Sequence, residues 1–250
     1  MTTADHGPRE RMVFSAAQLL RRGGIAAAGM RETATQAHAP RGSLQHYFPG
    51  GKEQVVNEAV AWAGRYAASR VPHFLGALDE PSPSALFAAM AQQWTDELAA
   101  TGTLAGCPVA AATADCAQAI ESTRASAAEA FACWRASVTE ALTGMGVPPA
   151  RAEALATLML STLEGAILIA RAERSPHALA TAVQELAPVL DAAVEHSRLA
   201  APIGGGGPVQ GRLHRGLLDE LMGRVASCFV RREPRKTCRD KVNGLLTELS

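Results

Sequence analysis

The sequence predicts an all-α fold, and three observations carry that reading. Ala, Leu, Glu and Arg dominate long stretches while aromatic residues make up only 4% of the chain, a balance that favours helix over strand. Apolar residues recur at i, i+3, i+4 and i+7 in one segment after another. A hydrophobic content of 48% over 250 residues is enough to bury a core, in one large helical domain or two small ones. Almost no sheet is expected.

Residues 1–8 read as a loose leader closed by Pro8. From Arg9, the positions Val13, Ala16, Ala17 and Leu20 form one helical stripe that stops at Gly23 and Gly24. A short helix is expected over 30–37, and a second, barely two turns long, from Pro40, which lacks the amide hydrogen that a first turn leaves unpaired. A fourth helix starts near Gly51 and Lys52, carries Val56, Val60, Ala63 and Ala67 on one face, and is expected to end at about Arg70, before Pro72. The loop "LDEPSPSA" offers Ser84 as the cap of a helix running to about Ala100. Further helices are expected over 107–121, 123–143, 149–173 and 175–198, with breaks at Gly106, at 144–149 and at Ser175-Pro176.

After these the composition shifts. The stretch "APIGGGGPVQG", 201–211, has Gly or Pro at seven of eleven positions and reads as a flexible linker. Leu217, Leu218, Leu221, Met222 and Val225 then fit one more helix, and Val242, Leu245, Leu246 and Leu249 another. There is no internal repeat.

Five cysteines at irregular spacing and a polar N-terminus without an apolar leader segment point to a reduced, cytoplasmic protein. The apolar run over 154–170 is interrupted by Glu164, so it reads as a buried helix or a subunit interface rather than a membrane span. Residues 1–60 hold seven Lys/Arg against five Asp/Glu, residues 61–200 eight against fourteen, and residues 201–250 nine against five. A basic end on an acidic body implies that an anionic partner meets the end only.

Two short helices joined by a tight turn, behind a third helix, make a helix-turn-helix arrangement whose last helix enters the DNA major groove. The stretch "APRGSLQHYFPGGKEQ", 39–54, fits that role. Gly42 removes a side chain where backbone must approach a duplex, and Ser43 and Gln45 bring neutral donors and acceptors. Arg41 offers a planar fork for guanine or phosphate, His46 and Tyr47 can donate to phosphates, and Lys52 stands at a helix N-terminus, where anions are also favoured. Arg31 and Thr33, on the preceding short helix, complete the DNA-binding candidates, and Phe48 reads as a core aromatic.

The segment from Arg9 to Val60, with "GSLQHYFPGGKE" at 42–53 as its most specific part, resembles the DNA-binding domain of the TetR family of bacterial repressors. "GCPVAAATAD" from Gly106 and "LEGAILIARAERSP" from Leu163 resemble the regulatory domain of the branch that includes the LmrA and YxaF repressors. Three positions depart from the family pattern: His38 stands where Gly is usual in the turn, Gln45 where Tyr is usual, and Thr33 where an aliphatic residue is usual.

The resemblance implies an N-terminal three-helix helix-turn-helix domain, 9–55, followed by an antiparallel helical ligand-binding and dimerisation domain, 56–199. It further implies a cytoplasmic homodimer that binds double-stranded operator DNA and is released by a small hydrophobic or aromatic effector, commonly antibiotic-like or flavonoid-like, with a neighbouring exporter or modifying gene as target. The alternative is a constitutive DNA-binding protein whose pocket is only core. For an effector pocket, Trp94, Phe131 and Trp134 are the candidate lining residues, since large rings in a helical domain can enclose a flat ligand.

Enzymatic function is not expected, because no Ser/His/Asp, Cys/His or paired-carboxylate constellation can be assembled. "FPGGKE" is not a phosphate loop: that spacing needs Gly where His46 stands and Ser or Thr where Glu53 stands. The seven histidines and the cysteines lack metal-ligand spacing, so no metal or other cofactor is expected. Residues 217–250, in the terminal segment 200–250, resemble the beginning of DDE-class insertion-sequence transposases and stop before any catalytic carboxylate, as a fused fragment without transposase activity would.

Overall fold

In the computed structural model the described residues are 7–102, 105–116 and 120–200, and those in regular structure are all helical. In chain order they are α1 (Pro8–Ala27), α2 (Met30–Gln36), α3 (Arg41–Tyr47), α4 (Gly51–Gly76), α5 (Pro83–Thr101), α6 (Pro108–Cys116), α7 (Glu121–Gly144), α8 (Pro149–Glu173) and α9 (His177–Ala200). The expected stop at Gly23 and Gly24 is a break within α1, where both residues leave helical dihedrals and Gly24 takes a φ of 69°. Only a residue without a Cβ reverses the chain there at little cost.

Three boundaries differ from the sequence expectation, each for a physical reason. Helix α4 does not end at Arg70 but continues through Pro72 to Gly76. The proline ring leaves the Ala68 carbonyl without its helical donor, and the Ser137 hydroxyl of α7 donates to that oxygen at 2.9 Å. A side chain from a neighbouring helix thus replaces the bond that the sequence alone shows as lost. The cap of α5 is Ser82 rather than Ser84: its Oγ accepts from the Ala85 amide at 3.1 Å, with Pro83 filling the first helical position. Glu121 belongs to α7 and not to the helix before it. Its carboxylate sits in the first turn of α7, where the helix dipole favours it, and accepts from Arg124 Nε at 2.8 Å.

One apolar core runs from Met12, Leu20, Leu44 and Phe48 in the first helices to Leu163 and Leu190 in the last. Phe48 is fully buried, with the Arg9 guanidinium 5.2 Å from its ring centre. Helices α4 and α7 come close together at Gly64, where Ala130 occupies the space of a side chain. Near their N-terminal ends they are tied by Asn57, which accepts from the buried Thr123 hydroxyl at 2.7 Å, and by Ser122, which donates to Glu53.

Helix α8 is long and apolar enough to cross a membrane by length and composition. Here it buries Leu155, Met159, Leu163 and Ile167 in the core and leaves Leu158, Leu168 and Ile169 exposed. The linker, the two terminal helices and the transposase-like fragment expected beyond residue 200 lie outside the described residues.

Candidate nucleic-acid interface and ligand cavity

The turn between α2 and α3 is closed by a pair of nested backbone bonds. His38 N–H donates to Thr35 O at 3.2 Å and Ala39 N–H to Ala34 O at 2.9 Å, the Schellman pattern, which requires a left-handed residue between them. His38 supplies it with a φ of 51°, at the position where the family pattern has Gly. Pro40 then caps α3 and prevents α2 from continuing.

This geometry sets which candidate side chains reach solvent. Arg31, Gly42, Gln45 and His46 are exposed, and Ser43, Tyr47 and Lys52 are half-buried. Arg31 and Gln45 flank one concavity between α2 and α3, with Met30, Ala34 and Leu44 at its floor. The rings of His46 and Tyr47 meet edge to face at 5.2 Å. Arg41 opens α3, although its side chain is not among those described. Thr33 is a correction: it is fully buried, and its hydroxyl has no partner, so it faces the core of the three-helix unit and presents nothing to a groove. Its place on the inner face of a seven-residue helix is a packing fact that residue type alone concealed.

One acid sits among these bases. Glu32 is held below the usual carboxylate range by a backbone hydrogen bond and by Arg31, with a smaller contribution from Lys52. Arg31 Nε donates to it at 3.1 Å.

The second feature is a cavity of about 330 Å³ enclosed by α1, α4, α5, α7 and the start of α6. Trp94 and Trp134 line it, whereas Phe131 does not. Phe131 lies instead in a groove between α7 and α8 with Arg135, Leu160 and Glu164, about 60° around α7 from Trp134. Phe14, Trp62, Tyr66 and Phe74 are the aromatic lining residues that sequence reasoning missed. The i, i+4 spacing of Trp62, Tyr66, Arg70 and Phe74 was visible as a stripe on α4, but nothing in it distinguishes a cavity wall from core. Trp62 and Tyr66 stack at 5.2 Å with their planes 9° apart, and Phe14 meets Trp62 edge-on at 5.4 Å.

The polar groups of the cavity are few. Arg21 of α1 donates from Nη2 to Glu97 of α5 at 2.5 Å and from Nε to the Gly106 carbonyl at 3.0 Å, while its cation lies 5.4 Å from the Trp94 ring centre. Trp94 Nε1 and Arg70 Nε are buried donors without partners. Beyond Arg21, the C-terminal part of α1 is tied to the body twice more: Arg171 of α8 donates to Arg22 O at 2.9 Å, and the Ile25 amide donates to Asp115 of α6 at 2.6 Å.

Cys107 lies at the edge of the cavity, and behind it is Glu164 of α8, whose Oε1 is buried without a partner. Burial raises the Glu164 pKa from 4.5 to about 7, with the Cys107 thiol acting weakly in the other direction. Burial, and then the neighbouring Glu164 charge, push the Cys107 thiol well above its ordinary value, so no reactive thiolate is available there. A stability prediction follows from the carboxyl. Below pH 4.5 Glu164 is neutral both folded and unfolded; between 4.5 and about 7 the unfolded chain releases its proton first, so stability falls as pH rises through that window and levels off above it. The loss is on the order of 3 kcal/mol, at about 1.4 kcal/mol per pH unit. Urea unfolding at pH 5 and pH 8 should show it, and Glu164→Gln should be the more stable protein at pH 8 with this component of the pH dependence removed.

Comparison with known proteins agrees with the geometry. Residues 15–59 match the model of "Bacterial regulatory proteins, tetR family", and residues 83–185 match that of "Transcriptional regulator LmrA/YxaF-like, C-terminal domain". An HTH-type transcriptional regulator of Mycobacterium tuberculosis is 40% identical over 173 residues, 67% of this chain and 86% of that one. The HTH-type transcriptional regulator LmrA of Bacillus subtilis is 28% identical over 161 residues, 64% of this chain and 85% of that one. Among solved structures, reduced NemR of E. coli superposes with a TM-score of 0.62 at 23% identity, over 72% of this chain and 95% of that one. A TetR transcriptional regulator of Legionella pneumophila superposes with a TM-score of 0.63 at 18% identity, over 74% of this chain and 98% of that one. Both show the shared fold.

Proposed function

Because the chain belongs to the TetR family of transcriptional regulators, we propose that it is a repressor that binds operator DNA as a homodimer and is released by a small aromatic molecule. The head, 9–55, reads the groove through α3. The body, 56–199, pairs with its copy and takes the ligand. One observation carries the ligand-responsive reading over the constitutive one: the cavity is walled by α1 and α4, the helices behind and after the reading pair, and not by the body alone. A molecule that fills it touches Phe14 and Arg21 of the head directly. Displacing Arg21 loosens its bonds to Glu97 and Gly106, which couple the head to the body.

The dimer surface is the outer face of α8 and α9. Leu158, Leu168, Ile169 and Val189 are exposed there. Gly165 lies between the apolar residues of α8, and a side chain at that position would meet nothing within 4 Å. A glycine that no intrachain contact requires, in the middle of an apolar helix face, supports close approach by a second helix. Two such subunits would set their α3 helices about 34–36 Å apart, one turn of B-DNA. A ligand that favours another spacing opposes operator binding by linkage.

The test is a fluorescence-anisotropy titration of the full chain against the DNA flanking its own gene, repeated with planar aromatic compounds. Specific binding that weakens by about 5–150-fold when the cavity fills is the expected result. Specific binding that no cavity occupant alters would leave the constitutive alternative. In Arg21→Gln, the ligand response should shrink to less than about fivefold, because the contact that transmits it is gone.

A further inference from the structure

We propose that the effector of this cavity is a planar aromatic monoanion whose charge is paired by Arg70; this rests on the cavity being the effector site. The charged residues lining the cavity are Arg21, Arg70 and Glu97. Glu97 is already committed to Arg21 at 2.5 Å. Among the described residues no carboxylate pairs with Arg70, and its Nε is buried without a hydrogen-bond partner. Its guanidinium rests 4.7 Å from the Phe74 ring centre, which positions the cation against the aromatic wall but leaves the Nε donor unmet. The lining therefore carries one unbalanced positive charge.

A guanidinium whose Nε is buried without a partner is unfavourable, and an anion that enters and pairs with it recovers that cost. A neutral acceptor would satisfy a donor and leave the charge standing. A dianion would meet Glu97 as well as Arg70, so one negative charge is what the balance accommodates. The second buried donor, Trp94 Nε1, can take another oxygen of the same molecule. Flatness follows from the walls: Trp62 and Tyr66 form a stacked pair 9° from parallel, and the Phe14 ring stands at 83° to Trp62. Rings specify a planar apolar body, and Arg70 specifies its charge.

The three tryptophans of the chain, Trp62, Trp94 and Trp134, all line this cavity, so Trp emission reports on its occupation. The experiment titrates the full chain with trans-cinnamate and with trans-cinnamamide, which match in shape and differ in charge, by Trp emission and by calorimetry. Cinnamate should bind at least about tenfold more tightly, the discrimination expected of a charge-assisted hydrogen bond. Arg70→Gln should erase the preference without weakening the amide, whose retained binding shows that the cavity is intact, and Arg70→Lys should keep the preference. Equal or tighter binding of the amide to the unaltered protein, or a preference that survives Arg70→Gln, would overturn the assignment of charge while leaving the cavity as the effector site. If neither probe perturbs Trp emission or releases heat, the effector site itself is wrong, and this inference falls with it.

Discussion

Gly42→Leu should leave the protein folded and lower specific operator affinity about thirtyfold or more, since each of two heads would lose about 1–3 kcal/mol of groove contact. Gly42 is exposed on α3, and a side chain added there would meet nothing within 4 Å. Its φ is not among the positive ones, so the backbone does not demand glycine. A helix is in fact destabilised by glycine, by about 1 kcal/mol relative to Ala. Gly42→Ala should therefore be slightly more stable in urea and bind operator less tightly, and Gly42→Leu should separate the two effects further. The free protein has room for a side chain there, and on the proposed reading the DNA complex would not. Operator titration of both variants, beside their unfolding curves, checks this; wild-type affinity in Gly42→Leu would place the groove contact elsewhere.

The largest loss of stability is expected at Gly64, and there the reason lies inside the fold. An added Cβ would stand 2.6 Å from Ala130 Cα and Cβ and 2.9 Å from its carbonyl oxygen. These are mostly backbone atoms of α7, which move only if the two helices separate. Gly64→Ala should cost about 1–3 kcal/mol, as overpacking does. Gly64→Leu should cost several kcal/mol, a large share of the roughly 5–15 kcal/mol that holds a domain folded. Adding Ala130→Gly to Gly64→Ala removes the clashing methyl but not the backbone contact, so rescue should be partial. Chemical denaturation of the three proteins measures this, and no loss in Gly64→Ala would mean that α4 and α7 are less closely packed than described. Because α4 joins the reading head to the body, the same variants should also alter the response of operator binding to ligand.

The two glycines show how differently sequence and structure inform. Both are single glycines within helical stretches, and only their neighbours differ. Gly42 is flanked by Arg41, Ser43 and Gln45, a polar setting from which the sequence suggests a groove-facing position. Gly64 follows Ala63 in an apolar stripe, and its reason is the Ala130 backbone 66 positions away. The same division runs through the cavity. Trp94 and Trp134 were accessible as rare large rings, but Phe131 sits in another groove and Thr33 is buried. Whether a ring on a helix faces a void or the core depends on the helix across from it.

Most of what is periodic or punctuated was determined by the sequence alone: the helical class, the break at Gly23 and Gly24, the turn around His38 and Pro40, and the family. Those features rest on interactions within a few residues, where propensity, capping and backbone sterics act. Only the tertiary structure decided that α4 survives Pro72, that Arg21 links the head to Glu97, that Glu164 is a buried carboxyl, and that Arg70 stands without a counter-ion. Each of these depends on a partner, or the lack of one, dozens of residues distant. A hydrogen bond, a charge pair or a void between helices is a property of their packing that no single segment encodes.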